Sequence, residues 1–398
     1  MTKQVNFLLV FLILSILSSA QQLSSDQLEF IQKNAVSINN ENRYTQADWS
    51  AIVNEVKDSR LVLLGEFNHG SKEVFLSRNE LIKALHHQLD FDLILFESGL
   101  GEVGVVNLQM RDDEGEGLTR GFFGGWRTKE FEDLLSFAAQ NQMEIAGFDV
   151  QRTGSVFTDF FQRELGLQFV EAEKQFLALK PELANYRSDY SSIEQEASEL
   201  IQTYDLLKTK YDGGKDLVYK TLENRITFLS YMLDFVRTKD WNERWKARDQ
   251  AMAENIRWLL SEVFEPNRKA IIIAHNFHIS RYNEKEEVMG EFLAEEFGDQ
   301  MYVLGVFAGK GSYSDNSGEE QALMAPDSTK LDIKHIVAAD RSRLSFLDIP
   351  KNRTKGSGWL WETIIVNDTF VDLSGSNSLT LSKCFDGLLL LDEVSPSK

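Results

Sequence analysis

Cysteine is almost absent: Cys384 is the only one in 398 residues. An intramolecular disulfide is therefore excluded, and stability has to come from core packing. Cys384 stands just ahead of an apolar run and reads as a buried structural thiol, not a nucleophile. Proline is scarce as well, with five in the chain, so no Pro-rich linker divides it. Positive charge is in deficit, 42 Lys and Arg against 62 Asp and Glu, a net charge of -20. That deficit, with no basic patch interleaved with aromatics, argues against nucleic acid as a partner and against docking on anionic lipid. Two catalytic signatures are also missing. There is no G-x-S-x-G nucleophile elbow and no H-E-x-x-H zinc helix. Hydrolysis by this chain would thus point to a water activated by histidine and away from a covalent serine.

Only one long hydrophobic run occurs, and it is N-terminal. Lys3 supplies a positive start, Phe7 to Leu17 an apolar stretch, and Ser18-Ser19-Ala20 the small residues of a cleavage site. The run is short for a membrane span, and no cysteine near Ala20 offers a lipid anchor. Residues 1–20 are expected to be a signal peptide. The mature chain, from about Gln21, is expected to be exported, periplasmic or secreted, without a membrane span.

What the sequence does have is a globular composition, 42% hydrophobic and 26% charged, and a repeated grammar. LVLLGEFNH (61–69), FDLILFES (91–98), MEIAGFD (143–149) and RKAIIIAHNFH (268–278) are apolar runs that each end on titratable side chains. Such runs fit strands buried on both faces. Further strands are expected at 301–309, 361–368 and 385–394. Helical patterns lie between them: 21–60 with Thr45 as a cap, 71–89 capped by Ser71, and 128–141 capped by Thr128. Residues 99–125, glycine-rich and mixed, read as an irregular functional loop. From about 155 to 262 only helical periodicity is found. The expected fold is α/β: a mostly parallel sheet flanked by helices, with core segments at about 40–154 and 265–398 and a large helical insertion between them.

In open parallel sheets, ligands bind at the carboxyl ends of the strands. His69, His275 and His278 fall there, and histidine is the default general base near neutrality. Glu66 and Glu97 are placed to orient an imidazole. Arg78, nine residues past His69, could bind a carboxylate or an oxyanion there, although surface salt bridging is its default use. Each also has a plainer reading, because strand-end loops favour polar residues without catalysis. Asp149 has an equal claim to capping or ending its strand. His86 and His87, adjacent in a helix, cannot share one site, and with His335 they read as structural. No cofactor is expected. Three histidines and two glutamates could nevertheless hold a divalent metal if they converged.

The motifs taken together resemble the erythromycin esterase family. They are G-E-x-x-H-G at Gly65–Gly70 with Arg78 after it, the strand ending on Glu97, WRTKEFEDLL from Trp126, and GFD ending on Asp149. R-D-x-x-M-A-x-N at Arg248–Asn255 and A-H-N-x-H at Ala274–His278 complete the set, in family order. The resemblance implies an α/β body, a helical part forming one wall of a deep cleft, and a small-molecule ester or lactone substrate. Family members hydrolyse the macrolactone of erythromycin-type antibiotics, a macrolide-resistance activity. It implies a general base at His69, catalytic parts for Glu66, Arg78, Glu97, His275 and His278, and substrate contacts from Trp126, Arg127, Asp149, Arg248 and Asn276. Phe67 and Asn68 depart from the usual pattern, which bears on substrate identity. A metal-dependent hydrolase using the same cluster and a non-catalytic exported binding protein are the alternative expectations.

Overall fold

The computed structural model describes residues 23–38, 48–111, 117–211, 215–367 and 378–398. The expected signal peptide and Thr45 lie outside the described residues. In chain order the elements are α1 (Ser25–Asn34), β1 (Val36–Ser37), α2 (Ser50–Val56), β2 (Leu61–Leu64), α3 (Lys72–Leu89), β3 (Leu93–Gly99), α4 (Leu100–Arg111), α5 (Lys129–Gln140) and β4 (Glu144–Asp149). The helical segment follows as α6 (Val156–Ala184), α7 (Tyr190–Lys208), α8 (Leu217–Thr238) and α9 (Trp241–Trp258). Then come β5 (Ala270–Ile273), α10 (Asn276–Ile279), α11 (Met289–Phe297), β6 (Met301–Ser314), β7 (Glu320–Ala322), α12 (Ile333–Asp340) and β8 (Leu344–Asp348). The chain finishes with β9 (Thr363–Ile365), β10 (Ser378–Thr380), α13 (Leu381–Cys384) and β11 (Gly387–Val394).

Strands β11-β6-β2-β5-β3-β4 are neighbours in that order and all parallel. Antiparallel β8 and then β1 extend the β11 edge. The central strands read as unbroken apolar runs because both faces are covered. Leu61, Leu63, Ile272 and Leu95 pack with α9, α11 and α12 on one side. Val62, Leu64, Ile273 and Phe96 pack with α2, α3 and α5 on the other. From β2 the chain crosses over β5 to reach β3, and from β5 it crosses over β2 to reach β6. The two connections therefore leave adjacent strands in opposite directions, which opens a crevice at their carboxyl ends. The Gly65–Gly70 and Ala274–His278 motifs both begin at that crevice.

Helices α6, α7 and α8 have a core of their own, including Phe169, Phe176, Leu200 and Leu229. Gly166, at φ +81°, interrupts α6 in a conformation that glycine adopts without strain. Buried charges join this segment to the sheet. Arg225 of α8 reaches Glu102 of α4 at 2.8 Å and Glu173 of α6 at 3.1 Å, and Arg152 beyond β4 reaches Glu173 at 3.0 Å.

The expectation of an irregular loop over 99–125 is corrected, because residues 100–111 form α4. Residues 99–104 read GLGEVG, a G-x-G-x-x-G spacing that follows a strand and opens a helix. Its glycines face protein, not a phosphate cradle. A Cβ on Gly101 would lie 2.5 Å from Thr221 Cγ2, and one on Gly104 would lie 2.6 Å from Leu217 Cδ1. These glycines allow α8 to approach α4 closely. At the helix starts, Ser71 is the cap that differs from expectation. Helix α2 starts at Ser50, whose N–H donates to Asp48 at 2.9 Å. Ser71 precedes α3, but its hydroxyl donates to Asn68 and caps nothing. Thr128 does cap α5, accepting the Phe131 N–H.

Candidate active site

Beyond β2 the backbone is pinned on both sides. Gly65 N–H donates to Leu304, Glu66 N–H to Ala274, and Glu66 C=O accepts from Asn276 N–H at 2.7 Å. Gly65 has to be glycine, since a Cβ there would sit 2.0 Å from Asn276 Oδ1. The rail aims Glu66 inward, where it is fully buried. Its Oε1 accepts from His69 Nδ1 at 2.6 Å and from Trp126 Nε1 at 3.0 Å, and its Oε2 accepts from Arg78 at 2.6 Å. Burial on its own would raise the Glu66 pKa, but Arg78 and His69 outweigh it and hold the carboxyl below its ordinary value. Arg78 in turn lies over the rings of Phe75 and Trp126. A carboxylate on Nδ1 fixes the tautomer, so the Nε2 lone pair of His69 is left for the cavity. The His69 side chain is 20% exposed.

A second cluster joins the ends of β3, β4 and α9. Arg248 donates to Asp149 at 2.7 and 3.3 Å, to Glu97 Oε1 at 3.0 Å, and lies 3.1 Å from His278 Nε2. Burial works against its charge, but Asp149 and Glu97 outweigh it and keep Arg248 protonated. Burial likewise opposes ionisation of Glu97, yet His278 and Arg248 hold its pKa down at about 2. His278 Nδ1 donates to Asp249 at 2.8 Å. Burial disfavours a charged His278, and Asp249 with Glu97 outweigh that and raise its pKa.

His275 is different. Its Nε2 donates to the Phe67 carbonyl at 2.9 Å, and its Nδ1 accepts the Phe277 N–H at 3.3 Å. Burial, with His69 adding to it, pushes its pKa down to about 4. It is a neutral imidazole with both nitrogens in use.

These groups surround a cavity of about 550 Å³. His69, Glu97, Asp149, Arg248, His275 and His278 line it, so the structure brings six of the expected residues together. The helical segment contributes Arg248 to that lining, and the other walls come from strand-end loops, Phe123–Gly125 and Tyr313–Asn316 among them. Five expected residues stand elsewhere. Glu66 and Arg78 lie behind His69, outside the cavity lining. Trp126 is fully buried against Glu66. Asn276 is fully buried and bonds the Val306 N–H and C=O, tying β5 to β6. Arg127 donates to the Phe122 carbonyl at 2.9 Å and holds the loop instead of the cavity.

Sequence reasoning missed three contributors. Asp249, inside the R-D-x-x-M-A-x-N motif, orients His278. Asn68 lines the cavity with an Nδ2 that makes no hydrogen bond, while its Oδ1 accepts from Gly70 and Ser71. The third is the stretch Ser395–Ser397. Ser397 N–H donates to Gly70 C=O at 2.9 Å, and its hydroxyl to Glu130 at 2.9 Å. Ser314 Oγ donates to Ser397 C=O at 2.9 Å. The Ser395 N–H and hydroxyl both bond Glu73, at 2.6 and 2.7 Å. A serine-rich tail carries no spacing signal that announces this.

As a metal site the cluster is a poor fit. Both nitrogens of His275 are committed, His278 Nε2 faces Arg248, and Glu97 is neutralised by Arg248. Among the described residues no three His, Cys, Asp or Glu side chains converge with metal-binding geometry.

Comparison with known proteins places this architecture. The family model described as Erythromycin esterase matches residues 86–394. That span holds Glu97, Asp149, Arg248, His275 and His278, and it begins after the Gly65–Gly70 turn. The chain is 24% identical over 442 aligned positions to YbfO of Bacillus subtilis (strain 168), described as a candidate hydrolase, covering 98% of this chain and 96% of that one. It is 25% identical over 312 positions to the erythromycin esterase type II of Escherichia coli, covering 66% and 72%. Among solved structures, a Bacillus cereus protein superposes with a TM-score of 0.73 at 20% identity, over 93% of this chain and 97% of the other. A mutant erythromycin esterase in an open conformation gives a TM-score of 0.58 at 16% identity, over 89% and 96%.

Proposed function

The chain belongs to the erythromycin esterase family, and from that premise we propose that it hydrolyses carboxylic esters of small molecules, macrolactones among them, using water deprotonated by His69. One observation carries this reading. His69 is held at Nδ1 by a buried carboxylate at 2.6 Å, while Nε2 is free to face the cavity.

The water gives a proton to His69 Nε2 as its oxygen attacks the ester carbonyl. The carbonyl electron pair moves onto oxygen and forms an oxyanion. Arg248 has five N–H donors and four hydrogen bonds, so at least one donor remains for that oxyanion. Asn68 Nδ2 is a second donor. Collapse expels the alkoxide, which takes the proton from His69 Nε2, leaving an acid and an alcohol. Glu66 compensates the imidazolium while it lasts. General base help is typically worth ~10²- to 10⁴-fold, and one oxyanion donor ~10²- to 10³-fold. The neutral His275 shapes the cavity and moves no proton. Residues 1–20 fit a role in export.

The test is a panel of aryl esters and macrolactones offered to the purified protein, with and without a chelator. Turnover that survives chelation supports the His69 pathway. Turnover lost on chelation and restored by added zinc overturns it in favour of a metal-dependent hydrolase. Ligand binding with no turnover of any ester overturns it in favour of a binding protein.

A further inference from the structure

One turn before Arg248 on α9 stands Arg244. Positions four apart share a helix face, here separated by about 6 Å of rise. The Arg244 guanidinium carbon lies 4.5 Å from the ring centroid of Trp245, 4.7 Å from that of Phe235 and 5.0 Å from that of Trp241. Trp241 and Trp245 are stacked, with centroids 6.1 Å apart. Among the described residues no carboxylate pairs with Arg244. That is unusual in a chain whose acids outnumber its bases by 20, 62 against 42. Neighbouring Lys246 does have an acidic partner, Glu287. Burial draws the pKa of Arg244 below its ordinary value, with the Tyr231 phenol opposing and the like charge of Arg248 adding to the shift.

Aromatic stacking satisfies the face of a guanidinium, but none of its five edge-on donors. Two more donors beside it lack partners. Trp245 Nε1 is buried without an acceptor. Tyr231 of α8 makes no hydrogen bond among the described residues, and the charges acting on it include Asp149 and Arg248 of the cavity as well as Arg244. A buried indole N–H and a guanidinium without a carboxylate thus stand side by side one turn from Arg248, and Tyr231 lies one turn from Phe235, whose ring Arg244 overlies. An oxyanion is the chemistry that fits them.

We propose that Arg244, Trp245 and Tyr231 form an oxyanion-binding subsite that receives a carboxylate or phosphate group carried by the substrate away from its scissile ester. The subsite's part in substrate choice rests on the ester-hydrolase reading, whereas its affinity for anions does not.

The experiment therefore has two arms. Calorimetric titration of the full chain with adipate and with inorganic phosphate is compared with Arg244→Gln and with Trp245→Phe, which keeps the stack and removes only the indole N–H. Binding by the parent, weakened about tenfold or more in Arg244→Gln and measurably in Trp245→Phe, is the expected result, and the tighter probe names the anion. No binding by the parent, or equal binding by all three, overturns the subsite. In the kinetic arm, the mono-p-nitrophenyl ester of adipic acid is compared with p-nitrophenyl hexanoate, which lacks the distal carboxylate. The ratio of kcat/KM, adipate over hexanoate, is expected to fall about tenfold in Arg244→Gln, and an unchanged ratio overturns the role in substrate choice. Anion binding lost in Arg244→Gln with neither ester turned over by the parent supports the subsite and overturns the esterase reading.

Discussion

The main-chain N–H of His275 donates to Glu97 Oε2 at 2.9 Å, so a carboxylate at the end of β3 holds the end of β5. The other oxygen of Glu97 meets Arg248 at 3.0 Å. One side chain thereby fixes the position of the A-H-N-x-H turn and, together with Asp149, the charge of the α9 arginine.

Glu97→Gln is expected to cost both stability and rate. The amide nitrogen would face Arg248 and His278, leaving the buried Arg248 with Asp149 as its one carboxylate partner. Breaking a buried ion pair from one side costs about 3–5 kcal/mol. Urea denaturation should show a lowered midpoint with the slope retained, and ester turnover should fall with it.

Glu66→Gln separates positioning from binding. The substitution keeps the volume but removes the charge that holds His69 in its Nδ1–H form. A fall of ~10²- to 10⁴-fold in kcat is expected with KM little changed. Steady-state kinetics on one aryl ester checks it, and a purely structural role for Glu66 would leave kcat intact in the folded fraction.

How much of this was visible beforehand follows from what each residue does. Leu61–Leu64, Leu93–Gly99, Glu144–Asp149 and Ala270–Ile273 announce themselves because burial on both faces demands unbroken apolar runs. Their titratable ends follow from the same pattern, so His69, Glu97, Asp149, His275 and His278 were all legible as candidates. What each one does was not. His275 and His278 share a motif, yet burial, with His69 adding to it, lowers the pKa of one, while Asp249 outweighs burial and raises that of the other, and His69 and Asp249 come from distant segments. Helix α4 was hidden by Gly101 and Gly104, whose meaning depends on Thr221 and Leu217 more than 100 residues away. Trp126, Arg127 and Asn276 belong to the motifs but spend their polar groups on neighbouring protein atoms, and motif membership alone does not separate that from substrate contact.

Acid sensitivity follows from two depressed pKa values. His275 ionises at about 4 in the fold against an ordinary 6.5, and Glu97 at about 2 against 4.5. In each window the unfolded chain binds more protons, so stability rises with pH. Stability should therefore fall as pH drops from 6.5 towards 4 through His275, and again from 4.5 towards 2 through Glu97. His278, raised above 6.5, works the other way and loses its contribution as pH climbs through that raised value. Denaturation midpoints across this range should flatten between 6.5 and 4 in His275→Gln. A parental profile already flat there contradicts the assignment.

Deleting residues 396–398 should slow the enzyme without unfolding it. Ser397 ties the His69 loop at Gly70 to Ser314 and Glu130, and misplacement of about 1 Å at a reacting group can cost ~10²-fold. The deletion is expected to lower kcat while leaving the far-ultraviolet circular dichroism spectrum unchanged.

The most direct test is kcat/KM for aryl-ester hydrolysis by His69→Ala, measured on protein whose circular dichroism and thermal midpoint match the parent. A loss of at least ~10²-fold is expected, since no other imidazole at the cavity has a free ring nitrogen. Undiminished turnover by that folded variant would contradict the assignment of His69 as the base.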